Sequence, residues 1–202
     1  MLLNTARLRL RPVHADDVDR LVALDADPEV MRFVSGGPAT SPQTVADWII
    51  PRTQSQQRDH GTGMWLLFTH DDRFAGWVQL RSPRHSRADE LELSYRLPRA
   101  VWGRGYAAEA AGALIAAMFT TTDTTRIFAG THVVHTASRR VMERLGMRLA
   151  ADSDATELAH PDAVVEYEIL REQWAAARGR GTVRVPTTQR SSLAGSARSR
   201  PA

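Results

Sequence analysis

Residues 89–120 read DELELSYRLPRAVWGRGYAAEAAGALIAAMFT, and the reading of this stretch decides the fold. Leu91 to Leu97 alternates apolar and polar residues, the pattern of a strand with one buried face. Pro98 has no N–H to give a sheet ladder, so the strand ends there. Trp102-Gly103-Arg104-Gly105-Tyr106 then turns the chain. From Ala107 to Met118 the sequence is AAEAAGALIAAM, dominated by strong helix formers. A strand that runs through a glycine turn into a helix N-terminus prepares an anion site. The N–H groups of the first helical turn lack intrahelical partners, and the helix dipole adds partial positive charge there. Glycine lets the backbone approach a phosphate with no Cβ between them.

Other phosphate loops fit this stretch poorly. Gly103-x-Gly105-x-x-Ala108 satisfies the dinucleotide fingerprint, but that fingerprint follows its strand directly and belongs to the first βα unit. Here Pro98 to Trp102 intervene and about half the chain comes first. The acidic residue expected about 20 positions on is missing around Phe128 and Ala129. A Walker loop is excluded, since the sequence contains no lysine.

The chain has 202 residues, 43% of them hydrophobic, enough for one domain with a sizeable core. The absence of cysteine excludes disulfides, thiolate metal sites and a cysteine nucleophile. The N-terminus has no apolar run long enough for a signal peptide or membrane helix, so a cytoplasmic protein without membrane contact is expected. The net charge of +3 conceals an uneven distribution. Six arginines and no acid fall in residues 178–202, and without them 20 basic residues face 23 acidic ones. That tail is expected to be disordered, with a weak nucleic-acid contact as its one plausible partnership. The domain boundaries read as 1–177 for a folded domain and 178–202 for the tail.

Outward from the central stretch, Ala6 to Arg11 alternates as a first strand, with Leu8 and Leu10 facing in and its three arginines on a solvated face. Asp16 to Ala26 carries a helical stripe, and Val30 to Val34 a second short helix. A helix from Gln43 to Arg58 is capped by Thr40 or Ser41 and kinked or split by Pro51. Met64 to His70 and Phe74 to Arg81 form a hairpin, in which Asp71-Asp72 is a turn and not a metal site. Arg126 to Val134 is a strand and His135 to Leu145 a helix stopped by Gly146. Met147 to Ala151 and Val164 to Leu170 are the last strands, joined by a loop over Asp152 to Asp162, and Glu172 to Ala177 is a short terminal helix.

SYRLPRAVWGRGYAAEA resembles the cofactor loop of GNAT-type N-acetyltransferases, nearest to the ribosomal-protein alanine acetyltransferase (RimJ/RimL) branch. The opening T-x-R-L-R-L-R-P with D-P-E-V-M-R-F, and the later segment His135 to Met147, resemble the same branch. The likeness runs from Thr5 to about Trp174. It implies an α/β (α+β) single domain: a central, mostly antiparallel, twisted sheet of about seven strands, flanked by helices and splayed at the cofactor site. It implies that acetyl-CoA is the co-substrate, without a metal. Backbone N–H groups of Trp102, Gly103, Arg104, Gly105, Tyr106 and Ala107 would hold its pyrophosphate. Tyr95, Arg96 and Leu97 would pair with its pantetheine arm as a strand does. His135 stands where the family has an asparagine on that arm, and Ser138 matches a serine near the sulfur. Ser94 replaces a glycine, and Pro98 falls one position early.

Acyl transfer to an amine needs a neutral amine, a held thioester and a proton for the thiolate. Glu92 is the candidate base, directly or through one water, its bland alternative being an ion pair with an arginine. Ser138 is the candidate proton donor, its bland alternative first-turn helix chemistry. The expected acceptor is a protein N-terminus or a small-molecule amine, and a monomer and a homodimer are both open. A nucleic-acid-binding module with an arginine-rich arm, a nucleotide-dependent oxidoreductase and an inactive acyl-CoA-binding regulator are the competing classes.

Overall fold

The computed structural model describes residues 1–34, 36–83, 87–150 and 163–179. The expected loop over Asp152 to Asp162 and residues 180–202 of the tail therefore lie outside the described residues. One eight-stranded sheet runs in the order β1-β2-β3-β4-β5-β6-β8-β7. The strands are β1 (Leu3–Asn4), β2 (Leu8–Pro12), β3 (Gly63–Thr69), β4 (Phe74–Arg81), β5 (Glu90–Arg96), β6 (Arg126–His132), β7 (Arg148–Leu149) and β8 (Val164–Leu170). All neighbours are antiparallel except β5 and β6. A doubly wound dinucleotide fold, which needs a parallel sheet, is thereby excluded. The strand added to the expected seven is β1, two residues long, paired with Arg9 and Leu10 of the chain's first alternating segment.

Helices cover both faces. On one side lie α1 (Val18–Asp25), α2 (Pro28–Met31), α3 (Pro42–Thr44) and α4 (Ile50–His60). Leu21, Leu24, Val45 and Ile50 there pack on Met64, Leu66, Phe68 and Trp77 of the sheet. On the other side lie α5 (Tyr106–Thr121) and α6 (Thr136–Arg144), whose Leu114, Ile115, Met118 and Met142 pack on Leu8, Leu10, Leu91 and Leu93. The terminal helix α7 (Arg171–Gly179) adds Trp174 against Phe119, and it extends to Gly179. Leu8 and Leu10 face inward as their alternation requires, both fully buried.

Local chemistry explains the breaks. Asp27 caps α2 by accepting the Glu29 N–H at 3.0 Å, and Ser41 caps α3 through the Thr44 N–H. The expected helix over 43–58 does split near Pro51. A π-helical turn over Val45–Ile49 joins α3 to α4, and Pro51 sits in the first turn of α4, where its missing N–H is not needed. Asp72 adopts a left-handed φ of 63° in the β3–β4 turn. Gly146, at φ +79°, closes α6.

Candidate active site

The site begins with a failure of pairing. β5 and β6 run parallel, yet only Glu90, Leu91 and Glu92 find partners, in Arg126, Ile127 and Phe128. β6 continues to His132 on the arm of β8, and β5 continues to Arg96 on the arm of β4. From Leu93 to Arg96 the β5 edge facing β6 therefore has no strand beside it among the described residues. In an extended strand every second residue directs its N–H and C=O to each side, so this edge offers donors and acceptors to a linear guest. Gly76 helps position it. A Cβ built there would stand 2.3 Å from the Arg96 carbonyl oxygen and 2.8 Å from the Leu97 Cα. Only glycine lets the β4 backbone lie this close to the end of β5.

The edge leads straight to the glycine turn. A 3₁₀ turn over Arg99–Val101 follows Pro98, and Gly103 and Gly105 take φ of 74° and 79°. Nothing lies within 4 Å of a Cβ built on Gly103, so it is the left-handed backbone that requires glycine there. Gly105 is the N-cap of α5, with no side chain capping it, and the first helical bond runs from the Glu109 N–H to the Gly105 carbonyl at 3.1 Å. The N–H groups of Tyr106, Ala107 and Ala108 thus point out of the helix end, an anion cradle. Among the residues expected to pair with the pantetheine arm, Tyr95 and Arg96 lie in the open edge. Leu97 lies beyond it, its carbonyl accepting the Trp102 indole N–H at 2.7 Å.

A brace that sequence reading missed holds this turn. Glu109, in the first turn of α5, accepts from the Thr5 hydroxyl (2.6 Å), the Arg7 backbone N–H (2.9 Å) and the Arg7 Nε (2.7 Å). The Arg7 guanidinium also donates to the Arg104 carbonyl at 2.9 Å and lies 4.9 Å from the centre of the Tyr106 ring. Burial pushes the Glu109 carboxyl up, but the bonds from Thr5 and Arg7 outweigh it and hold it below its ordinary value. The arginines expected on a solvated face are thus all in ion pairs: Arg7 with Glu109, Arg9 with Asp72, and Arg11 with the fully buried Asp17. Alternation signalled only that they face away from the core. Glu109 and Asp72, 102 and 63 positions away from their arginines, left no local signal.

Across the splay, the Tyr95 hydroxyl stands 3.0 Å from the Ser138 Oγ and donates to the Ser138 carbonyl at 3.1 Å. Burial pushes the Tyr95 phenol up to about 12, with the Ser138 hydrogen bond opposing, so it stays protonated at neutral pH. Ser138 is buried in the first turn of α6, and its hydroxyl meets Tyr95.

Residues 7–148 match the Acetyltransferase (GNAT) domain family. The FsC-acetyl coenzyme A-N(2)-transacetylase of Aspergillus fumigatus is 30% identical over 185 residues, covering 85% of this chain and 77% of that protein. The chain belongs to the GNAT acetyltransferase family. An acetyltransferase from Agrobacterium tumefaciens superposes with a TM-score of 0.68 at 26% identity, over 84% of this chain and 94% of its own. RimL, a ribosomal alpha-N-protein acetyltransferase in complex with coenzyme A, shares the fold with a TM-score of 0.70 at 17% identity, over 86% of this chain and 99% of its own. The protein is an acetyl-CoA-dependent acyltransferase.

The remaining candidate residues of the acetyltransferase divide between the two faces of β5. Glu92 pairs with Arg81 at 2.6 Å, at the point where β5 and β6 part. The Arg96 side chain turns away from the edge, onto buried Asp25 and 5.1 Å from the centre of the Trp77 ring. His135 stacks on Phe33, ring centres 4.2 Å apart, with its Nδ1 3.3 Å from the Thr131 hydroxyl. Burial, then the charge of His132, pushes the His135 imidazole down, so it is neutral at physiological pH. Among the described residues no helix is long and apolar enough to cross a membrane.

Proposed function

We propose that this acetyltransferase moves the acetyl group of acetyl-CoA to a primary amine by direct attack in a ternary complex. The observation that carries the reading is the open β5 edge that ends in the uncapped N-terminus of α5. The edge fits an extended amide-bearing arm, and the helix end fits a pyrophosphate. Gly103, Arg104, Gly105, Tyr106 and Ala107 would hold the latter, whereas the Trp102 N–H expected beside them is already given to the Arg99 carbonyl at 3.1 Å; Tyr95 and Arg96, with His135 at the start of α6, would flank the former. The Aspergillus relative is named for transfer to an N(2) position, and this supports nitrogen as the acceptor atom. The sequence resemblance to the RimJ/RimL branch adds protein N-termini to the candidate acceptors.

The amine nitrogen forms a bond to the acetyl carbon, and the carbon–sulfur bond breaks. Glu92 takes the proton the nitrogen sheds, directly or through one water. An α-amine, with a pKa near 7.7–8.0, is partly neutral already. A lysine-type amine near 10.4 needs about 4 kcal/mol more to deprotonate at neutral pH. Tyr95 and Ser138 serve the leaving sulfur as hydrogen-bond donors. Full proton transfer to a thiolate of pKa about 8.5 from a phenol at about 12 is uphill by several kcal/mol, so their role is to hold charge, and water returns the proton. An acceptor screen with acetyl-CoA, following free thiol release, tests the reading. Saturable release with at least one primary amine is expected, and none with any amine would overturn it.

A further inference from the structure

On the sheet face opposite α5, a cleft of about 190 Å³ opens between α1, the π-helical turn, α4 and strands β4 and β5. At roughly 30 Å³ per water it holds the volume of about six waters, the size of a small-molecule head group. Trp48, Arg52, Trp77, Gln79, Arg81 and Arg96 line it. Arg96 ties the cleft to the open β5 edge, because its backbone lies in that edge while its side chain reaches the cleft.

The charge of this cleft is one-sided. Asp25 is the one carboxylate lining it among the described residues, and Asp25 is taken by Arg96 and the Thr40 hydroxyl. Arg81 is balanced by Glu92. Arg52 stacks 5.0 Å from the centre of the exposed Trp48 ring and has no carboxylate partner among the described residues. The Arg96 Nε is buried with no hydrogen-bond partner, a desolvated donor that costs stability unless a guest supplies an acceptor. Arginine presents a planar fork matched to carboxylate geometry. Such a cleft repels an ammonium, which favours the neutral amine that acyl transfer needs, and it rewards an acceptor with its own negative charge.

Building on the N-acetyl transfer proposed above, we propose that the acceptor is a primary amine bearing a carboxylate, and that Arg52, with Arg81 and Arg96, binds this carboxylate in the cleft. Polyamines are then poor acceptors.

The test compares 4-aminobutyrate, n-butylamine and putrescine as acceptors, following free thiol release, in wild type and in Arg52→Gln. A charged hydrogen bond gained in a partly buried cleft predicts kcat/KM for 4-aminobutyrate at least about tenfold above n-butylamine, with putrescine lowest. Arg52→Gln should cut that preference to below about threefold, through KM, with acetyl-CoA binding retained. Calorimetry of 4-aminobutyrate with coenzyme A present gives a readout independent of turnover. Binding that Arg52→Gln weakens, with no amine acetylated, would uphold the carboxylate site and overturn the N-acetyl transfer. Turnover that favours n-butylamine or putrescine would overturn the carboxylate site and leave the transfer standing. Equal turnover of all three amines, or no binding of 4-aminobutyrate, would also overturn it.

Discussion

Glu92 sits where two demands meet. It is the last β5 residue paired to β6, and its carboxylate is held 2.6 Å from Arg81. Both a base and a plain ion pair are compatible with that contact, and kinetics separate them. Glu92→Gln should lower kcat by about 10²-fold, the usual scale for a general base, with acetyl-CoA affinity unchanged. A lowered melting temperature at full kcat would reduce Glu92 to an ion pair. Tyr95 makes a pH-dependent prediction. Its phenol lies at about 12 when folded against an ordinary 10.0, so between these values the unfolded chain releases a proton the folded one keeps. Stability from this group is complete below about pH 10 and is lost as pH rises toward 12. Tyr95→Phe should flatten the fall in melting temperature over that range, and should lower kcat by removing a donor to the sulfur. An unchanged alkaline slope would contradict the burial argument.

The elements that make the site were unequally legible. Strand β5, the glycine turn and α5 could be read because alternation, proline, glycine and alanine each leave a local mark. The splay was expected through the family resemblance alone, since it depends on β6 parting from β5 after Phe128, and pairing of strands so far apart has no local signature. The Arg7–Glu109 brace and the Tyr95–Ser138 contact, which join different elements, lack one too. Resemblance placed Ser138 near the sulfur, and only packing revealed that a tyrosine hydroxyl joins it. Gly76 carries no local mark of its role, which is to let the β4 backbone lie close against Arg96 and Leu97. The brace predicts that Glu109→Gln loosens the glycine turn. Arg7 is half exposed, which limits the ion pair to about 1 kcal/mol. Acetyl-CoA affinity should fall about three- to tenfold. Unchanged affinity with a lower melting temperature would mean that the brace supports the N-terminus and not the cofactor turn.

At the scale of the whole molecule, the sheet separates two tasks. The face under α5 and α6 holds the glycine turn and the Tyr95–Ser138 pair, and the face under α1 and α4 holds the arginine-lined cleft. The β5 edge gives onto both, so donor and acceptor would meet there without a covalent enzyme intermediate, in keeping with a chain that has no cysteine. Residues 180–202 are expected to be dispensable for catalysis, and a chain ending at Gly179 should keep kcat/KM on a small amine within about tenfold of wild type. The most direct measurement is calorimetry of wild type and Gly105→Val with acetyl-CoA. Gly105 holds φ +79°, so a β-branched residue must distort the turn that aims the α5 N–H groups. Saturable binding by wild type, lost in a folded Gly105→Val, is the predicted result. No binding by wild type at millimolar acetyl-CoA, or equal binding by the variant, would contradict it.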